Sequence, residues 1–385
     1  MERRTLGYGH VLQGVGWLRQ SMKDLRIAWQ HPVVDVFKPA QGAVPTRAAE
    51  PRLARTFAVV EVRRPTADSV TLVFANDPAA PLRFEAGQFV TLHAPIDGAI
   101  VRRSYSMCSD PAAEATFAIT VKRVPNGVVS NALNAGAAAG DRFVIEGPHG
   151  RFVLADSGPG RRVFVAGGSG ITPIMAMLRA HCADPDAGHA LLLYGNRRIE
   201  DAIFAAELAA LEASTDRLTV RHLLETPTDA VPAPFGRMSP EILAELLPAD
   251  VEATFFVCGP EPMMDAVTDH LAASGVPPER VRVERFAPRR KVVARGVTAI
   301  HRIELRRSGQ EVRASSMRTL LEASMATDHP INSSCQLGGC GSCKVRVLSG
   351  EVEMEEPNCL SDGERAEGYR LACISRPCSD VVLDA

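Results

Sequence analysis

The stretch INSSCQLGGCGSCKVRV constrains this chain more than any other. Cys335, Cys340 and Cys343 fall within nine residues, separated by glycines. A fourth cysteine with a compatible gap, Cys373 in LACISRP, completes the spacing C-x4-C-x2-C-x29-C. This is the ligand spacing of a [2Fe–2S] cluster. Two ferric ions bridged by two sulfides need two protein thiolates per iron. Gly338, Gly339 and Gly341 let the loop wrap tightly and turn backbone N–H groups toward sulfur. The alternative is structural zinc, which usually takes two short C-x2-C pairs, and only one occurs here. Cys359 and Cys378 fit no ligand spacing, and Cys182 lies in a helix-to-loop stretch. All three read as free thiols.

Composition says what surrounds that loop. At 385 residues, 46% of them hydrophobic, the chain is long enough for two or three domains, each with a buried core. A formal charge of -2 gives no basic signature, which argues against nucleic acid as a partner. No apolar run reaches the roughly 18–20 residues that span a bilayer. The opening MERRTLGYGH lacks the apolar core of a signal peptide. A cytoplasmic location is therefore expected, where thiols stay reduced. Nine cysteines then favour metal binding or catalysis over disulfides.

Residues 298–385 resemble plant-type ferredoxin domains, whose fold is a β-grasp. HRIELRRSG and CKVRVLSGEVEM alternate as strands, and MRTLLEASMAT reads as the helix between them. Such a domain passes single electrons, so an upstream module must load it.

Residues 51–155 read as closely spaced short strands: TFAVVEVRRP, SVTLVFAND, QFVTLHAP, TFAITVKRV and DRFVIEGP. That spacing, without long helices, argues for a small antiparallel β-barrel. Inside it, RRSYSMCSDP places Arg103, Tyr105 and Ser106 in sequence. A guanidinium can answer a flavin phosphate, a tyrosine can pack on the isoalloxazine or ribityl, and a small hydroxyl can reach flavin N5. The plain alternative is a strand end with a surface arginine. Further on, Asn126-Gly127 opens a turn into a short helix near Ser130, and a helix N-terminus beside glycine suits an anion. Arg103-x-Tyr105-Ser106 is similar to the flavin motif of the ferredoxin–NADP⁺ reductase family. The resemblance implies that Lys122, Gly127, Val128, Val129 and Ser130 join the flavin site, and that the flavin is FAD rather than FMN. His149 in GPHG reads as a solvated turn residue.

Residues 156–287 change period. RRVFVAGG, HALLLYGN, RLTVRHLLE and TFFVCGP read as strands, alternating with the helical SGITPIMAMLRAH, DAIFAAELAALEAS and PEPMMDAVTDHLAASG. This alternation predicts an α/β domain with a parallel sheet. In GGSGITP, Gly168 and Gly170 let the backbone approach a pyrophosphate. Thr172 is expected as the N-cap and Pro173 in the first turn. Pro173 stands where the last glycine of G-x-G-x-x-G would be. The turn instead resembles that of the same reductase family. There the cysteine of C-G-P lies beside the nicotinamide, which points to Cys258, with Gly259, Pro260 and Met263 around it. The resemblance also places Phe286 on the flavin face and Glu284 nearby. Arg197 and Arg198 follow the second strand, where a 2′-phosphate would select NADPH; a solvated loop is the alternative.

The order is thus an N-terminal extension (1–50), a flavin barrel (51–155), a nicotinamide domain (156–287), a basic linker (288–297) and a ferredoxin domain (298–385). This order resembles the reductase components of two-component oxygenases, with GEVEME and EGYRLACISRP closest to the Rieske-oxygenase group. Reductases of acyl desaturases, steroid hydroxylases and diiron oxygenases share it. The resemblance implies hydride transfer from NADH or NADPH to FAD and single-electron delivery through the cluster to a partner oxygenase. Two other readings stay open: a stand-alone diaphorase that does not need the cluster, and a redox-sensing subunit.

Two segments suggest surfaces. Val11, Val15, Leu18, Met22, Leu25 and Trp29 make one helix stripe. It fits a helix docked on the protein's own surface, or a partner or membrane-surface contact. Glu351, Glu353, Glu355, Glu356, Asp362, Glu364 and Glu367 crowd 351–367 against Arg365 alone, suggesting either a solvated loop or an acidic docking face.

Overall fold

Six strands rich in alternating Val, Leu, Ile and Phe form the first sheet: β1 (Ala54–Thr66), β2 (Ser69–Ala75), β3 (Phe89–Ile96), β4 (Ala99–Ser106), β5 (Thr116–Lys122) and β6 (Arg142–His149). The computed structural model describes residues 54–154, 160–227, 234–247, 250–286, 299–333, 335–355 and 358–385. These residues belong to one compact unit, Arg47–Ala385. The 11–29 stripe, its proline-rich connector and the linker 288–297 lie outside the described residues, as does Glu356.

The strands pair antiparallel in the order β4-β3-β6-β1-β2-β5. An isolated bridge between Met107 and Ile119 brings the end of β4 round to β5. The sheet closes as the expected barrel. Val70, Leu72, Phe74, Leu92, Phe117 and Ile145 fill it. Phe74 stacks on Phe117 at 5.1 Å, and Phe57 meets the same ring edge-on at 4.9 Å. Helix α1 (Val128–Gly136) covers β5.

The second sheet is parallel, in the order β11-β10-β7-β8-β9. It is built from β7 (Arg162–Gly167), α2 (Ile171–Ala183), β8 (Ala190–Asn196), α3 (Ala205–Ala213), β9 (Leu218–Leu224), α4 (Pro240–Leu246), β10 (Thr254–Cys258), α5 (Glu261–Ala273) and β11 (Val281–Glu284). Alternate residues of β7 face opposite cores. Phe164 joins the side with Ile174 and Leu178 of α2, while Val163 and Val165 join Leu243 of α4 and Val267 of α5. Helices therefore cover both faces, as a parallel sheet requires.

The first of these cores also takes in residues of the barrel. Val73, Ala118 and Phe152 pack in the same cluster as Phe164, Met177 and Phe256. Barrel and parallel sheet thus share buried apolar surface.

The third sheet contains β12 (Ile300–Leu305), β13 (Gln310–Ser315), β14 (Lys344–Ser349), β16 (Tyr369–Leu371) and β18 (Val381–Asp384), ordered β13-β12-β18-β14-β16. β15 (Val352–Met354) and β17 (Ser375–Pro377) form a separate ribbon. β12 runs parallel to β18 and the other pairs are antiparallel, with α6 (Leu320–Ser324) between β13 and β14. This is the β-grasp arrangement. Helix α6 is shorter than MRTLLEASMAT suggests, because Ser324 and Thr327 hydroxyls bond back to Leu321 O at 2.8 Å and Ser324 O at 2.7 Å. Such bonds compete with helix propagation. A last helix, α7 (Asp362–Ala366), precedes β16. Among the described residues no helix is long and apolar enough to cross a membrane.

Because Phe256 is fully buried and packs against Phe152 and Phe164, Phe256→Ala should destabilise the chain by about 3–5 kcal/mol. The urea unfolding midpoint should fall. Phe235→Ala, at a side chain 68% exposed, should leave that midpoint unchanged.

Candidate functional site

Strand alternation decides what β4 presents. Tyr105 pairs across with Val90, and Ser106 with Phe89. Burial pushes the Tyr105 phenol upward, with Arg103 opposing. Arg103 Nη1 donates to Arg102 O at 2.7 Å. Ser106 is buried, and its hydroxyl donates to Glu284 Oε2 at 3.3 Å. Burial pushes the Glu284 carboxyl up to about 8, and the Ser106 bond partly opposes this. Glu284 ends β11 and lies in register with Cys258 at the end of β10. The Cys258 thiol is raised well above its ordinary range, first by burial and then by Glu284.

The proposed flavin turn is built largely from backbone. Val129 is a core side chain, so only its backbone faces outward to a ligand. Ser130 Oγ accepts from Val124 N at 3.1 Å and thereby closes the turn. The N-terminus of α1, at Gly127, has no side-chain cap. The same holds for α2, at Gly170, and α5, at Pro260. By contrast α4, α6 and α7 are capped by Ser239, Thr319 and Ser361. Uncapped first-turn N–H groups suit an anion, so the residues present fit the phosphates of a dinucleotide. Helix α3, which starts at Phe204, also lacks a side-chain cap. Lys122 is committed to Asp68 at 2.9 Å.

In the nicotinamide turn the helix begins two residues before its expected start. Gly170, not Thr172, is the N-cap of α2. A 3₁₀ turn over Gly168–Gly170 runs straight into the helix, leaving Thr172 inside the first turn. Its hydroxyl donates to Ser169 O at 3.0 Å. Pro173 sits in the first turn as expected. A Cβ on Gly170 would lie 2.0 Å from Cys258 O, so the GSG and CGP turns meet with no room for a side chain. Met263 Sδ fills the space beside Gly167. Arg197 and Arg198 both reach Asp201, at 3.4 and 3.3 Å, and Arg197 also lies 4.0 Å from Asp68.

The four spaced cysteines come together as two pairs. Cys335 pairs with Cys340, and Cys343 with Cys373. The hydrogen bond within each pair pulls the Cys340 and Cys343 thiols downward. Leu337 N donates to Cys335 Sγ at 3.3 Å, and backbone bonds from Gly339 and Gly338 reach Cys335 and Cys373. Two thiol pairs with backbone donors fit a two-iron cluster that takes two thiolates per iron. Cys359 is free and follows no ligand spacing. The fold nevertheless sets it beside the loop, its N–H donating to Gly338 O at 2.9 Å. Cys378 is free and exposed, and Cys182 is free in the last turn of α2.

One cavity of about 650 Å³ is lined by residues of the barrel, the parallel-sheet region and the cysteine loop, though not by Arg103, Tyr105, the Gly127–Ser130 turn, the GSG and CGP turns or the four spaced cysteines. Its walls include Ser106 and Phe89 of the barrel, Glu284 and Phe286 of the parallel-sheet region, and Leu337, Gly338 and Gly339 of the cysteine loop. Sequence reasoning missed Phe89. A Cβ on Gly339 would lie 2.7 Å from Phe89 Cζ, so the cysteine loop rests directly on this ring. The GQFV stretch carried no signal beyond strand alternation. His149 is also not a solvated turn residue. It ends β6, its ring 12% exposed and 3.8 Å from Glu146.

The chain matches three domain families: Oxidoreductase FAD-binding domain over 56–154, Oxidoreductase NAD-binding domain over 164–269, and 2Fe-2S iron-sulfur cluster binding domain over 303–378. It is therefore an oxidoreductase with FAD-, NAD- and [2Fe–2S]-binding modules. The glycine betaine monooxygenase reductase subunit of Pseudomonas aeruginosa is 33% identical over 84% of this chain and 93% of its own length. The ferredoxin reductase component of 3-ketosteroid-9-alpha-monooxygenase from Mycobacterium tuberculosis is 36% identical, again over 84% and 93%. The solved structure of phthalate dioxygenase reductase superposes with a TM-score of 0.58 at 28% identity, covering 86% of this chain and 98% of that one. The chain belongs to this family of oxygenase reductase components.

Purified protein should carry about two irons and two acid-labile sulfides per chain. Cys335→Ser or Cys373→Ser should abolish that content, whereas Cys359→Ser and Cys378→Ser should retain it. Metal and sulfide analysis of anaerobic preparations decides; zinc in place of iron would overturn the assignment.

Glu284 also gives a pH signature. Its carboxyl moves from 4.5 to about 8 on folding. Between those values the folded chain holds a proton that the unfolded chain has released. Its contribution to stability is therefore fully present below the lower value and lost as pH rises to the upper one. Glu284→Gln should flatten this part of a urea-unfolding pH profile, while parallel profiles would show that Glu284 is ionised in the folded chain.

Proposed function

We propose that this chain delivers electrons from a reduced nicotinamide nucleotide to a partner oxygenase, the partner being of the Rieske type. FAD, when bound, would supply a hydride acceptor that can also give up single electrons, and a [2Fe–2S] cluster would supply a one-electron acceptor. The chain's own residues bind and position. Arg103, Tyr105 and the backbone of Gly127–Ser130 would hold the flavin, Lys122 joining them only on leaving Asp68, and Gly168, Gly170, Thr172 and Pro173 would hold the nucleotide phosphates. Cys258, Gly259, Pro260 and Met263 shape the nicotinamide turn. Cys335, Cys340, Cys343 and Cys373 hold the iron. Ser106 is oriented by Glu284, and Phe286 lines the cavity. Arg197 and Arg198 would have to leave Asp201 to meet a 2′-phosphate. The domains follow as 51–155, 156–287 and 298–385. All nine cysteines are unpaired, which supports a cytoplasmic setting.

The observation carrying this reading is the shared cavity, whose walls join Ser106, Glu284 and the cysteine loop. No diaphorase would need that third wall. Anaerobic mixing with NADH or NADPH should bleach the flavin first and the cluster second. Cys373→Ser should keep the first phase, lose the second, and stop delivery to cytochrome c. Undiminished cytochrome c reduction by that variant would favour the diaphorase reading.

Docking on an acidic face needs one revision. Glu355 is not offered to a partner: it pairs with Arg376, the two side chains being 19% and 13% exposed. The antiparallel β15–β17 ribbon brings these residues together. Glu351 and Glu367 remain exposed. Exposed charges steer association only over the ~8–10 Å screening length. Glu351→Lys with Glu367→Lys should therefore slow acceptor reduction at low salt and leave flavin reduction unchanged. Unchanged acceptor kinetics would move the docking site elsewhere, with 11–29 next to test.

A further inference from the structure

The barrel meets the cysteine loop through apolar contact at Phe89 and Gly339, and through a polar chain beside it. Glu146, in β6, is 8% exposed. His93 Nε2 stands 3.4 Å from its Oε2, and His149 Nε2 stands 3.8 Å from its Oε1. From the loop, Ser342 Oγ donates to Glu146 Oε1 at 3.4 Å. The same Ser342 oxygen lies 3.3 Å from Cys340 Sγ.

Ser342 has one hydroxyl proton. A protonated Cys340 thiol donates to Ser342. A thiolate on iron has no proton to give, so that contact can only run from Ser342 to sulfur. Glu146 and Cys340 then compete for a single donor. A carboxylate oxygen is a stronger acceptor than a ligand sulfur, which shares its charge with the metal. Hydrogen bonds to cluster sulfurs are among the levers that set cluster potential, because they favour the more negative, reduced form.

We propose that Glu146 is a positioning residue of the flavin barrel that holds down the reduction potential of the cluster by drawing the Ser342 hydroxyl proton away from Cys340. The inference rests on the four cysteines holding a [2Fe–2S] cluster. Two contacts independent of Glu146 keep Ser342 within reach: Phe89 under Gly339, and Arg102 Nη1 donating to Ser333 O at 2.9 Å. The flavin domain thus tunes the acceptor as well as docking it.

The test uses the full-length holoprotein and a redox titration of the cluster followed by its reduced-state EPR signal. Iron is counted first in every preparation. Glu146→Gln is isosteric. It should raise the reduced-to-oxidised ratio at fixed potential by about threefold or more, roughly 30 mV at 59 mV per tenfold for one electron. In a Ser342→Ala background the same change should have less than half that effect, since no hydroxyl proton is left to redirect. Ser342→Thr should restore it. Ser342→Ala alone should move the ratio by less than about 1.5-fold. If Ser342→Ala alone lowers the ratio threefold, the proton already sits on Cys340 and the proposal is overturned, whether or not Glu146→Gln folds. An equal Glu146→Gln shift with and without Ser342, or no shift, overturns it too. Wild-type protein without iron would instead sink the cluster assignment.

Discussion

Phe152 leaves the barrel and packs edge-on against Phe256 of the parallel sheet, with 5.7 Å between ring centroids. Phe256 in turn stacks on Phe164 at 5.3 Å. Burying rings of this size is worth roughly 1.5–3 kcal/mol each, and the rings belong to both modules at once. The two sheets therefore cannot drift apart without exposing common core. Ser106 at the end of β4 consequently meets Glu284 at the end of β11. Hydride transfer would need near-contact geometry, and the shared core holds the residues of the two modules that would frame it in fixed positions.

The ferredoxin module is attached differently. Among the described residues, its contacts with the barrel include a ring against a glycine, an arginine against a carbonyl, and a serine against a carboxylate. Its own core of Ile303, Leu305, Leu321, Val345, Leu371 and Leu383 is complete without the barrel. A module that receives electrons on one side and gives them up on another is served by such an arrangement. It has a core of its own and meets the flavin module at Phe89, Arg102 and Glu146.

Helix ends divide along the same line. Where a phosphate is expected, α1, α2 and α5 begin at Gly127, Gly170 and Pro260 with first-turn amides that no side chain caps. Where no anion is expected, Ser239, Thr319 and Ser361 cap α4, α6 and α7, while α3, with Phe204 at its N-cap, is the exception. A capping hydroxyl contributes about 1 kcal/mol to a helix. At the three turns where a phosphate is expected, an anion could take that place.

What the sequence determined by itself is local. Three of the four thiolates lie within nine residues, so their spacing alone defines the ligand loop. Period 2 in the barrel strands and the switch to strand–helix alternation give three modules in order, because burial on one face repeats at fixed intervals. The GSG turn was legible too, though its N-cap was misplaced by two residues, since a 3₁₀ turn leaves no mark in composition. Only the tertiary structure paired Ser106 with Glu284 across 178 residues and Glu146 with Ser342 across 196. It also placed Phe89 under Gly339, paired Glu355 with Arg376, and brought Cys359 to the loop. Each of these is a single polar or aromatic side chain with no periodic partner nearby. Its environment is set by which strand edges meet when separate cores pack, and that is a property of the assembled surfaces.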